Sequence, residues 1–176
     1  MNKNTRQLTM AALFVALGTA LSTLYIPVGA SKCFPVQHFI NVLAGILLGP
    51  LLAMLCAFCT SLLRLFMGTG TMLAFPGSMI GAMLSGLAFK HMRKIWAACA
   101  GEIIGTGILG ALCSFPAAVF LLGREAALFA FVLPFSISSS VGALAGSVLI
   151  YALKKMDVLD KLISDQDIQK RERVGV

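Results

Sequence analysis

The apolar residues of this chain come in long, nearly unbroken runs, and the polar ones gather between them. Residues 8–26 hold nineteen positions without a charge, about 28 Å of helix and enough to cross a bilayer core. A basic leader before such a run also fits a signal peptide, but the later runs and the lack of a clear A-x-A site argue for a retained helix. Ile26, Pro27 and Gly29 then break it into a loop that carries Lys32 and Cys33. A second run, 36–48, is short for a full crossing. Gly49-Pro50 predicts a turn, with Pro50 placed to open a third helix over 51–66. The two runs form either a spanning hairpin or a re-entrant one, and the spanning hairpin is adopted here. The stretch 67–76, MGTGTMLAFP, reads as a glycine-rich loop, and residues 77–90 as a fourth helix. A fifth run covers 95–122 and a sixth 126–153, with a tight turn at 123–125 and a kink expected at Pro134. Gly77/Gly81 and Gly142/Gly146 repeat the GxxxG spacing that lets helices approach closely.

The expected fold is therefore an all-α integral membrane protein, a compact bundle of six transmembrane helices over residues 1–153, followed by a charged cytoplasmic tail at 154–176. The second run stands out. Gln37, Asn41 and Gly45 fall at i, i+4 and i+8, and His38 lies three before Asn41. On a helix all four share one face. Polar side chains at membrane depth should point at a cavity or a partner helix rather than at lipid, so the other runs read as a frame around this one.

Composition agrees. The chain is 59% hydrophobic and only 12% charged, where a soluble domain carries about 25% charge; the mean hydropathy is +0.92. The net charge of +7 would suggest nucleic acid in a soluble protein. Here its placement points to a membrane instead, and no nucleic-acid partner is expected. Eleven of the fourteen cations sit before the first run, at 90–94, or beyond 153. Under the positive-inside rule this puts both termini and the 90–94 loop in the cytoplasm, in a multi-pass protein of the cell membrane. The other three are Lys32, Arg64 and Arg124.

Two charges lie inside runs. Arg64 either snorkels to the outer headgroups or faces a ligand or Glu102. Glu102 is the one acid within a span, and such a group marks a functional site by default. It is protonated, paired with Arg64 or His38, or part of a packing hydrogen bond. The serines at 136 and 138–140 either bond back to their own helix or face the interior. Five scattered cysteines give no disulfide framework, and the Cys56-x-x-Cys59 pair lacks the further ligands a metal needs. No metal, cofactor or catalytic set is expected. Nor is there a GxxxxGK[ST] loop, so any ATP hydrolysis must come from another chain. Thr69 and Thr71, in the glycine-rich loop, remain candidate donors to a small ligand.

Three segments, SKCFPVQHFINVLAGILLGP, LLRLFMGTGTMLAFPGSMIGA and GEIIGTGILGAL, closely resemble the ThiW family, with similarity running over about residues 8–153. The family's members are S components, the substrate-binding membrane subunits of energy-coupling factor (ECF) transporters. The resemblance implies an S-component-like fold and uptake of the thiazole precursor of thiamine, hydroxyethylthiazole. It also implies a separate ECF module of a membrane coupling subunit (EcfT) and two ATPases. S components dock on the coupling subunit through an AxxxA ridge in the first helix; Ala12 and Ala16 match it, and Ala16 and Ala20 fit the same spacing.

Such a ligand has a flat ring, one hydroxyl and no charge, so it calls for stacking aromatics and a few hydrogen bonds. Phe34, Phe39 and Phe75 are candidates to stack, and Gln37, His38, Asn41, Thr69 and Thr71 to bond, with Glu102 as the buried acid of the site. Three rival readings are an S component for another thiamine-related heterocycle, a solitary carrier, and an intramembrane enzyme, which would need paired acids, a nucleophile–base set or metal ligands.

Overall fold

The computed structural model describes residues 3–28, 31–121, 123, 129–157, 159 and 161–162. Within them the chain folds into six main helices and one small β-hairpin. Helix α1 is Lys3–Ala20, extended by a 3₁₀ turn at Leu21–Thr23. Strands β1 (Ile26–Val28) and β2 (Ser31–Cys33) pair antiparallel. Then follow α2 (Pro35–Leu48), α3 (Pro50–Phe66) and α4 (Ala74–Met92). Helix α5 runs Ile95–Phe120 and α6 is Val132–Lys155.

The punctuation follows the sequence. Pro35 and Pro50 each open a helix, where the N–H that proline lacks would be unpaired in any case. Gly49 between α2 and α3 has φ 80°, a conformation that side chains resist. The expected Gly-Pro turn is thus present. Helix α4 ends at Met92, capped by Arg93 at φ 53°, whose N–H donates to Phe89 O at 2.8 Å.

Four expectations need correction. Where a loop is expected, Ile26–Val28 and Ser31–Cys33 pair as strands, because Ile26 and Cys33 close a register that side-chain pattern alone does not announce. Helix α1 begins at Lys3 rather than at the first apolar residue, since helix propagation does not need apolar side chains. Pro134 does not kink α6. It lies in the first turn, where its missing N–H breaks no bond. Helix α6 itself starts at Val132, six residues later than expected. Arg124 and Glu125, where a turn was expected, lie outside the described residues, as does the tail beyond residue 162.

Helix α5 is not uniform. Its α-helical segments Ile95–Ile104 and Ala111–Pro116 are separated by a π-helical stretch at Gly105–Gly110. A Cβ on Gly105 would fall 2.7 Å from Gly81 Cα of α4, so the two backbones meet where α5 is widened. Such π turns recur at functional sites.

Helix α2 is the hub. It touches α1, α3, α4, α5 and α6, and eleven of its fourteen residues are buried, polar ones included. The outside of the bundle is the reverse. Leu51, Phe66, Phe120, Leu133 and Leu144 are all more than 60% exposed, and so broad an apolar surface marks contact with something other than water. Helices α5 and α6 are long and apolar enough to cross a membrane, while α2 and α3 are apolar but shorter.

Candidate functional site

A cavity of about 410 Å³ lies at the end of the bundle where α2, α4 and α6 begin. The hairpin contributes Lys32 to its wall, the start of α2 contributes Phe34, Gln37 and His38, and the end of α3 Arg64. The loop Gly68–Thr71 lines a further side. Ser78 of α4, Thr106 of α5, and Phe131, Phe135 and Ser138 at the start of α6 also line it. Phe34 is held in place by its own backbone, whose N–H donates to Ser138 Oγ at 2.8 Å. Just before it, Cys33 Sγ donates to Pro134 O at 3.3 Å. Burial pushes the Cys33 thiol up, so it stays protonated and able to donate. These bonds tie the hairpin to α6.

Two buried polar networks underlie the cavity. In the first, Glu102 is fully buried and His38 Nδ1 lies 2.8 Å from its Oε1. Asn41 Nδ2 donates to the same oxygen at 3.0 Å, and Thr106 Oγ1 lies 3.0 Å away. Asn41 can only donate through its amide N–H, so three polar partners, His38, Asn41 and Thr106, converge on the one carboxyl oxygen. His38 also lines the cavity, and with Nδ1 engaged by Glu102 its remaining ring nitrogen is Nε2. Gly81 makes the space: a Cβ there would fall 2.7 Å from Glu102 Oε2.

In the second network Arg64 Nη1 donates to Gln37 Oε1 and Nη2 to Thr69 O at 3.3 Å. Gln37 Nε2 donates to Ser61 Oγ at 3.2 Å, and Ser61 Oγ lies 2.9 Å from Ser78 Oγ. The guanidinium also stacks on Phe34, 4.2 Å from the ring centroid. Arg64 is 1% exposed. Snorkelling to headgroups is therefore overturned, because this face of α3 turns inward. Pairing with Glu102 is overturned too, since that acid is bonded to His38.

Of the residues singled out in the sequence, Phe34, Gln37, His38, Thr69 and Thr71 line the cavity. Asn41 and Glu102 sit in the network behind its wall. Phe75 packs on Phe58, with ring centroids 5.7 Å apart, and is not among the lining residues. Thr69 Oγ1 is 2.9 Å from Ser22 Oγ. The glycine-rich loop is no anion cradle through its amides, because the N–H groups of Thr69 and Gly70 both donate to Arg64 O, at 2.9 and 3.0 Å. Ala12 and Ala16 are exposed on α1. In the Cys56-x-x-Cys59 pair Cys56 is buried and Cys59 exposed.

Sequence reasoning missed Ser78, Thr106, Phe131, Phe135 and Ser138 as wall residues. Two signals were there to be read. Thr106 lies four after Glu102, and Phe131, Phe135 and Ser138 follow the i, i+4, i+7 stripe of one helix face.

Compared with known proteins, residues 8–156 match the family model described as thiamine-precursor transporter protein (ThiW). No curated protein and no solved structure matches the chain.

Proposed function

The chain belongs to the ThiW family of thiamine-precursor transporters, and from that premise we propose that it is the substrate-binding subunit of an ECF-type importer. Membership makes it an all-α membrane protein that serves the transport of a thiamine precursor. The finer reading is that its cargo is the thiazole moiety, with hydroxyethylthiazole as the parent compound. ATP hydrolysis would come from a partner module of one membrane coupling subunit and two ATPases.

The observation that carries this reading is the cavity. At about 410 Å³ it falls in the roughly 300–1,000 Å³ range of small-molecule sites. Phe34, Phe131 and Phe135 line it together with the polar residues His38, Thr71 and Ser138. That pairing suits a small, flat heterocycle with a hydroxyl arm. In this reading the six helices span the cell membrane, with both termini and the 90–94 loop cytoplasmic. The cavity then opens outward, at the end of α4 opposite Lys90, Arg93 and Lys94. The exposed Ala12 and Ala16 serve as the ridge that docks on the coupling subunit.

The test combines binding and uptake. Calorimetry on the purified protein should show saturable binding of the thiazole and weaker binding of the pyrimidine precursor and of thiamine. Cellular uptake of labelled thiazole should require the ATPases. Preference for the pyrimidine would move the cargo to another heterocycle, and uptake that persists without the ATPases would mark a solitary carrier.

A further inference from the structure

Arg64 is a buried cation that lacks a counter-charge. Its two bonded nitrogens donate to neutral oxygens, Gln37 Oε1 and Thr69 O, and its Nε has no partner. Among the described residues no carboxylate lies within ion-pair distance of it; Glu102 is engaged by His38. A guanidinium removed from water is strongly destabilising unless it is paired. The bonds to Gln37 and Thr69 and the stacking on Phe34 fix its geometry without neutralising it. Arg64 also lines the cavity, and so does Lys32, whose ammonium lies 4.5 Å from the Tyr25 ring centroid and likewise meets no carboxylate. The lining contains no aspartate or glutamate. The cavity therefore brings two cations to one space and leaves their balance to whatever enters.

Resting on the reading of this cavity as the precursor site, we propose that its preferred ligand is anionic: a heteroaromatic ring bearing a carboxylate or a phosphate monoester, whose negative oxygens pair with Arg64 and Lys32. The neutral alcohol is then the weaker ligand. Arginine suits the buried position, because the bonds of Nη1 to Gln37 and Nη2 to Thr69 use two of its five N–H groups and leave others for an oxyanion. Phe34, already stacked under the guanidinium, places a ring face beside that charge. Lysine suits the exposed hairpin, where a mobile point charge follows the anion.

The experiment is calorimetry on the full chain in nanodiscs with five probes. These are hydroxyethylthiazole, its phosphate monoester, a methylthiazole carboxylate, hydroxymethylpyrimidine and its phosphate monoester. At least one anionic thiazole should bind tighter than the alcohol by about tenfold or more, and added salt should erode that advantage. Lys32→Gln, on the exposed hairpin, should reduce the advantage by about threefold or more. Arg64→Gln should abolish it, and Arg64→Lys, which keeps the charge, should retain part. Circular dichroism and gel filtration identify any variant that fails to fold. Three results would overturn the proposal: an alcohol that binds as tightly as both anions, anion affinity unchanged in Lys32→Gln and Arg64→Lys alike, or no binding of any anionic probe. The two readings separate cleanly. Binding of the neutral thiazole alone would keep the cargo and reject the charge, while binding of the pyrimidine phosphate alone would keep the charge and reject the thiazole.

Discussion

At the scale of single residues, His38 and Asn41 stand one helical turn apart and do different work. Both bond Glu102 Oε1, but only His38 reaches the cavity. Losing a buried partner leaves its mate unpaired, at about 1–3 kcal/mol. For His38→Ala that loss includes a side chain lining the cavity, so affinity for the bound precursor should fall by roughly five- to a hundredfold. For Asn41→Ala the loss should appear as a lower melting temperature, with affinity held within about threefold. Calorimetry paired with thermal unfolding distinguishes the two. Equal losses of affinity in both variants would mean that the Glu102 network moves as one unit and shapes the wall from behind.

Among the elements, α1 is the one least involved in the site. Phe14 and Gly18 make its inner face, and a Cβ on Gly18 would fall 2.9 Å from Thr60 Cγ2. Ala12 and Ala16 lie on the outer face with Leu13 and Leu17, all exposed. A pair of small residues between larger ones forms a groove into which another helix can press closely. Tryptophan at both alanines should abolish uptake in cells that contain the energising module, while the purified variant binds the precursor as before. Normal uptake by that double variant would show that this face meets only lipid. Helix α6 makes the contrasting case. A Cβ on Gly142 would fall 2.7 Å from His38 Cβ, so a larger residue there pushes against the site and should impair binding itself.

For the whole molecule, the distribution of polarity is inverted relative to a water-soluble fold. Arg64, Glu102, Gln37 and Asn41 are inside, while large apolar side chains such as Leu51, Phe66, Phe120, Leu133 and Leu144 are outside. Such a bundle is stable only in an apolar solvent, where an unpaired polar group has no water to fall back on. The proposed orientation follows from the separation between the basic end and the cavity end. Cysteine reporters at Lys32 should react with a membrane-impermeant maleimide added to intact cells, and reporters at Lys94 and Lys155 should not. Reaction at Lys94 from outside would reverse the orientation and open the cavity to the cytoplasm.

Features that depend on near neighbours are legible in the chain alone. The Gly49-Pro50 turn, the apolar runs and the shared face of Gln37, His38 and Asn41 all follow from spacings of a few residues. The membrane class followed from composition, since twelve per cent charge cannot cover a soluble surface of this size. Pairings between distant residues come only from the packed fold. His38 meets Glu102 across 64 positions, and Phe34 meets Ser138 across 104. That fold also decided that Arg64 faces inward and that the start of α6 supplies much of the aromatic wall. The reason is rotational. A helix that is apolar on most sides has little pattern to say which face turns inward, so packing selects it, against α2 and α4 for α3 and against α2 and α5 for α6.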